Sequence, residues 1–185
     1  MTTSPRNLTS SIEVSDDLVQ SILTPYRKEC RYLQKLWIDR YDEPGAPANA
    51  AGGAIVGRGQ FAIPESFYIA GTGHFNAVEF NLCFNQIGYV YLAYCFDHEL
   101  IPRIGVDLAY YRRQQLSGLL IASFASTYRS QMTASGFWGE FSLNHTVEKE
   151  RLWLLDTRIR YWDDGAGRSD GNVMLALLKE AARTP

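Results

Sequence analysis

The chain has no excess of positive charge and no long uninterrupted apolar run. Eighteen Lys and Arg stand against twenty Asp and Glu, a formal net charge of −2, and the charges are dispersed. Nucleic-acid binding needs cations gathered into a stripe or patch, so a nucleic-acid partner is not expected. The polar start MTTSPRNLTSS lacks the apolar segment of a signal peptide. Nor is there a run of about 18 apolar residues to span a membrane. The closest segment, 74–96, is broken by His74, Asn76, Glu79, Asn81, Asn85 and Gln86. Cysteine is scarce too: Cys30, Cys83 and Cys95 are odd in number and have no metal-ligand spacing. They read as reduced, buried thiols of a cytoplasmic protein, and neither a metal nor another cofactor is expected.

Apolar and aromatic residues are plentiful, at 46% and 13% of 185 positions, enough for the core of one domain. Residues 1–14 read as a flexible tail and 15–185 as a single domain. Ser15-Asp16-Asp17 supplies an N-cap and first-turn carboxylates for a short helix with the stripe Leu18, Val19, Ile22 and Leu23, ended by Pro25. Cys30–Tyr41 reads as a strand that runs into a Pro/Gly/Ala loop at 44–53. Ile55–Ile63 is a second strand, with Gly57 and Gly59 marking a bulge or a close backbone approach, and Pro64 stops it.

A long helix follows, opened by Asn76 with Glu79 three residues on, a capping-box pattern. Beyond Pro102 the pattern turns to strands: Ser117–Tyr128, an alternating stretch over 137–147, then Leu152–Trp162 and Asn172–Leu178 joined by DDGAGRSDG. The long helix is apolar around most of its circumference, so it must be wrapped rather than docked on one face. An antiparallel sheet curled around one helix does this, an α+β arrangement of the hotdog type. Such sheets commonly pair edge to edge, so a homodimer is expected.

Four stretches carry a more specific likeness: CRYL at 30–33, ESFYI at 65–69, GTGHFNAVEFNLCFNQ at 71–86 and QLSGLLI at 115–121. With these the chain resembles the FcoT-type fatty acyl thioesterase family from about Leu18 onward. The resemblance implies a hotdog enzyme of actinobacterial isonitrile lipopeptide biosynthesis, working on an acyl chain carried by an acyl carrier protein or CoA. Two activities are implied. One is hydrolysis of long-chain acyl thioesters. The other adds glycine to the β-carbon of a (2E)-enoyl thioester and releases the 3-[(carboxymethyl)amino] fatty acid.

Either reaction must stabilise negative charge on the thioester oxygen, which suits unpaired N–H groups at a helix N-terminus. The loop Gly71–Gly73 before Asn76 would allow a close approach, so Gly73 and Asn76 are candidate substrate-binding residues. Removing a proton from glycine's ammonium, or from water, needs a base. Glu79 is the candidate base, with His74 relaying the proton or orienting substrate. The alternative for Glu79 is the capping box itself, and for His74 a backbone-bonded loop residue.

The resemblance adds Tyr68, Tyr32 and Asn85 as acyl-pocket or carbonyl-binding candidates. The plainer readings are core packing for the tyrosines and a bond to a facing strand for Asn85. A cation for the glycine carboxylate would come from Arg58, Arg103, Arg112, Arg113 or Arg129. His98 and His145 read as structural. Ser117 lacks the setting of an activated serine nucleophile.

Overall fold

A helix with apolar side chains on every face has to be covered on every face, and a curled sheet provides most of the cover. The computed structural model describes residues 7–42, 54–70 and 74–179. Among these the chain runs β1 (Asn7–Glu13), α1 (Asp16–Leu23), β2 (Leu33–Asp42), β3 (Ala54–Phe61), α2 (Ala77–Asp97), α3 (Leu108–Gln114), β4 (Leu119–Ser130), β5 (Phe137–Glu148), β6 (Leu152–Trp162) and β7 (Arg168–Leu178). The strands form one seven-stranded sheet, ordered β1-β2-β3-β5-β6-β7-β4, with every pairing antiparallel. It curls around α2 in the hotdog arrangement.

Phe80, Cys83, Phe84, Ile87, Val90, Tyr91 and Phe96 of α2 are all buried. At roughly 1.5–3 kcal/mol for each large apolar side chain, this one helix carries a major share of the core's stabilisation. Two shorter helices join it. Tyr111 of α3 packs on Phe96 with ring centroids 5.2 Å apart and donates its hydroxyl to the Tyr89 carbonyl at 3.0 Å. Gln115, just past α3, donates to the Ile22 carbonyl of α1 at 2.9 Å. Gln86 ties the middle of α2 to the start of β2: its Oε1 accepts from the Tyr32 and Leu33 N–H groups, both at 2.9 Å, and its Nε2 donates to the Cys30 carbonyl at 2.6 Å.

Three expectations are corrected. The expected N-terminal tail is a strand from Asn7 onward, with Ile12 opposite Ile38 and Glu13 opposite Trp37. Its side chains are largely exposed, so backbone pairing and local polar bonds such as Lys35–Glu13 at 2.6 Å hold it, and hydropathy does not register either. Second, a helix, α3, stands where only strands were expected after Pro102. Its cues are Asp107 as N-cap, accepting from the Tyr110 N–H at 2.6 Å, and Arg112 and Arg113 in the last turn. Third, the β6–β7 connection is shorter than read, because residues 168–171 already belong to β7. The loop expected at 44–53 lies outside the described residues.

Of the two readings for Gly57 and Gly59, close approach is the one realised; the irregularity in this strand pair falls at Leu33/Lys35. A Cβ on Gly57 would stand 2.9 Å from Tyr91 Cδ2, and one on Gly59 2.8 Å from Leu33 Cδ1. The missing side chains let α2 settle onto the sheet. Tyr91 has little room to yield, being buried with its hydroxyl bonded to the Ile55 carbonyl at 3.1 Å. Gly57→Ala is therefore expected to cost about 1–3 kcal/mol in a denaturant titration. An unchanged midpoint would mean that the ring moves aside freely.

Candidate active site

The first turn of α2 is held by a complete capping box. Asn76 Oδ1 accepts from the Val78 N–H at 2.9 Å, and the Glu79 carboxylate accepts from the Asn76 N–H at 3.0 Å. Asn76 Nδ2 also donates to the Tyr68 hydroxyl at 2.5 Å, so the exposed Tyr68 is drawn onto the same turn. With Asn76 engaged in this way, the Ala77 N–H is a helix-start donor without a partner among the described residues.

A cleft of about 520 Å³ opens beside this turn. His74, Asn76 and Ala77 line one wall, and Tyr128, Arg129 and Gln131 line the other. Nearby aromatic rings underlie it: Phe80 lies edge-on to Tyr128 at 5.7 Å and to Tyr161 at 4.9 Å, and Phe75 meets Tyr161 at 5.1 Å. The segment joining β4 to β5 is pinned to the entrance of the helix, since the Phe75 N–H donates to the Met132 carbonyl at 3.1 Å.

Asp163 fixes the same segment from the other side. Its carboxylate accepts from the N–H groups of Thr133 at 2.9 Å, Gly167 at 2.9 Å and Gly165 at 3.0 Å. These bonds, Thr133 foremost, hold the Asp163 carboxyl below the usual carboxylate range against the opposing effect of burial. The Tyr128 phenol moves the other way. Burial raises it, a bond from the Ser126 hydroxyl offsets part of the rise, and the charge of Glu79 adds to it. A phenol so placed stays protonated at neutral pH and presents an O–H to the cleft.

The structure brings His74, Asn76, Tyr68 and Glu79 together at one turn and separates the other candidates. Glu79 is buried and serves the cap, while the cleft wall itself carries His74. Gly73 lies outside the described residues. Tyr32 is a core residue: its ring is buried, its hydroxyl reaches the Glu65 carbonyl at 3.5 Å, and burial pushes the phenol up to about 12. Asn85 is nine residues beyond the cap, about 13 Å along the helix axis. It opens on a second groove of about 210 Å³ with Gly88 and Leu119–Ile121. The strand-bonding role considered for Asn85 belongs instead to its neighbour Gln86.

Four of the five arginines are engaged elsewhere. Arg58 binds Asp39 at 2.7 Å and lies between Trp37 and Trp138, 4.7 and 5.5 Å from their ring centroids. Arg112 reaches Ser21 at 3.1 Å, Arg113 stacks on Tyr110, and Arg103 stacks on Trp153. Arg129 alone of the five lines the cleft. His98 closes α2, its ring stacked on Tyr94 with centroids 3.9 Å apart. No group of three or more His, Cys, Asp or Glu among the described residues is placed to hold a metal ion. The cleft residue that sequence reasoning overlooked is Tyr128. The alternation Phe124–Ser126–Tyr128 along β4 was its available signal, since Phe80 touches both aromatics of that series.

Glu79→Gln separates cap from base, because Gln at this position still accepts from the cap N–H. Turnover is expected to fall about 10²–10⁴-fold with little change in the thermal midpoint. Glu79→Ala should in addition lose about 0.5–2 kcal/mol of stability, the worth of a cap. Full turnover in the Gln variant would assign Glu79 to the cap alone.

Comparison with known proteins places this chain in a family. The model of the FcoT-like thioesterase domain matches residues 21–177. A protein of Mycobacterium marinum called (2E)-enoyl-[ACP] glycyltransferase is 34% identical, covering 89% of this chain and 87% of its own. Proteins with the same name from Streptomyces coeruleorubidus and Mycobacterium tuberculosis are 33% and 34% identical, covering 87% and 96% of this chain and 95% and 96% of theirs. A solved structure from Shewanella oneidensis superposes with a TM-score of 0.49 at 9% identity, over 89% of this chain and all of that one. Family model and relatives agree over nearly the whole length, and the chain belongs to the FcoT-like thioesterase domain family.

Proposed function

We propose that this protein adds glycine to the β-carbon of a (2E)-enoyl thioester carried by an acyl carrier protein and then hydrolyses the thioester. The observation that carries the reading is the cleft at the start of α2. It combines an unpartnered helix-start N–H at Ala77, a phenol O–H at Tyr128 and an imidazole at His74, and Phe80 and Phe84 of α2 meet Phe124 of β4 further along the helix. The names of relatives covering most of this chain agree with it.

In this reading the acyl chain runs along α2 past Phe80, Phe124 and Phe84 toward the groove at Asn85. Ala77, Asn81 and Asn85, spaced four apart, share that face of α2. The Asn81 amide oxygen on it is buried without a partner. The thioester oxygen sits at the first turn, where the Ala77 N–H, the positive helix end and the Tyr128 hydroxyl oppose charge developing on it. His74 takes a proton from glycine's ammonium and passes it toward Glu79. The amine nitrogen bonds to the β-carbon, the C=C electrons move onto the thioester oxygen as an enolate, and the proton taken from the ammonium is returned to the α-carbon as the carbonyl re-forms. Water attacks the same carbonyl in the second step and the carrier thiol leaves.

In this reading the product is a 3-[(carboxymethyl)amino] fatty acid, and isonitrile lipopeptide biosynthesis is the pathway proposed for it. Three buried free thiols accord with a cytoplasmic location. Among the described residues no helix is long and apolar enough to cross a membrane. The second reading, an acyl-CoA or acyl-carrier-protein thioesterase, is favoured by the family model's own description. Saturated acyl thioesters tell the two apart, since they have no electrophilic β-carbon. Purified protein, a (2E)-enoyl carrier protein and glycine should yield the free glycine adduct by mass spectrometry. Release of the unmodified enoic acid alone would leave only the thioesterase.

A homodimer is part of the proposal. The edge strand β4 has a partner, β7, on one side only, and Leu120 and Ile121 on it are 45% and 38% exposed. A second copy pairing there would cover both the strand edge and the apolar side chains. Light scattering should give twice the chain mass, and a monomer at working concentration would remove the dimer from the proposal.

A further inference from the structure

Amino-acid addition needs a cation for the carboxylate of the incoming amino acid, and the geometry points to Arg129 as that cation, in a carboxylate-binding subsite completed by Asp170. This assignment rests on the glycine-addition reading above and names the residue that makes the enzyme select an α-amino acid rather than an amine.

Strand β4 is irregular where it meets the cleft. Tyr128 pairs with Ser169 and Ser130 with Arg168, so Arg129 is an extra residue with no counterpart on β7. A regular strand turns alternate side chains to opposite faces. Here Tyr128, Arg129 and Ser130 all line the same cleft. Insertion of one residue is what bends a strand and redirects a side chain in this way.

The Asp170 carboxylate, one strand over, grips the guanidinium from the side, with Nε to Oδ2 at 2.6 Å and Nη2 to Oδ1 at 3.4 Å. This leaves Nη1 and the second N–H of Nη2 without a partner among the described residues, a pair of donors suited to a second, incoming carboxylate. The Arg129 side chain is 64% exposed, so the pair with Asp170 adds little to stability. Its consequence is orientation: a long side chain is held in one direction at the mouth of the cleft. His74 on the opposite wall then stands on the amine side of a glycine anchored there.

The test compares glycine with glycinamide, which keeps the nucleophilic amine and lacks the carboxylate, using full-length protein and an enoyl carrier protein. Wild type should prefer glycine by at least tenfold in kcat/KM, the worth of one charge-assisted pair. In Arg129→Gln the preference should collapse toward unity, through a raised KM for glycine and a much smaller change with glycinamide. Arg129→Lys, which keeps the charge but cannot fork, should give an intermediate ratio. If both variants retain the wild-type preference, the carboxylate is held elsewhere and the assignment is overturned. A wild-type enzyme that forms no adduct with either amine would instead sink the glycine-addition reading, and this subsite with it.

Discussion

The burial of α2 on nearly every side constrains the rest of the molecule. A 21-residue helix with this many fully buried side chains cannot rest on a flat sheet, because half of its apolar surface would stay wet at roughly 25 cal/mol per Å². The sheet therefore curls, and the curl demands that backbones approach at the points of contact. Glycines at 57 and 59 meet that demand on β3. Polar groups carried into the interior by the same helix must find partners there, and Gln86, bonded to three backbone groups around the start of β2, is the clearest case.

The helix opens at a partly exposed turn, where only some of its first N–H groups need side-chain partners. At the start of α2 the box formed by Asn76 and Glu79 supplies these partners with two side chains, and Ala77 lines the cleft. The proposed chemistry and the helix cap therefore draw on the same residues. Asn76 caps the helix and also holds Tyr68, and Glu79 braces the turn while its charge helps to raise the Tyr128 phenol. Substitutions at this turn move stability and activity together unless, as with Gln for Glu79, the bond is kept and only the charge removed.

Periodicity and capping residues made the central element legible. The Asn-x-x-Glu spacing gave the start of α2 to the residue, and the interrupted apolar pattern gave its need for wrapping. What stayed hidden depends on interactions that side-chain composition does not encode. Strand β1 is polar and is held by backbone pairing. Helix α3 is seven residues long, too short for a periodic signal to rise above its neighbours. The separation of Asn85 from the first turn follows from rise per residue and could have been calculated; the bulge that turns Arg129 into the cleft could not, because it is a property of the pairing between β4 and β7.

The two walls of the cleft belong to parts of the fold with very different protection. One wall is the start of the most deeply buried helix; the other is the end of a strand hydrogen-bonded along one side only. Local opening draws first on strands with few buried contacts, so in the single chain, before a second copy pairs along β4, amide exchange along Tyr128–Ser130 should outrun exchange in the middle of α2 by orders of magnitude. On warming, the substrate-facing wall would loosen while the core was still intact, and the working temperature range of the site would be narrower than that of the fold.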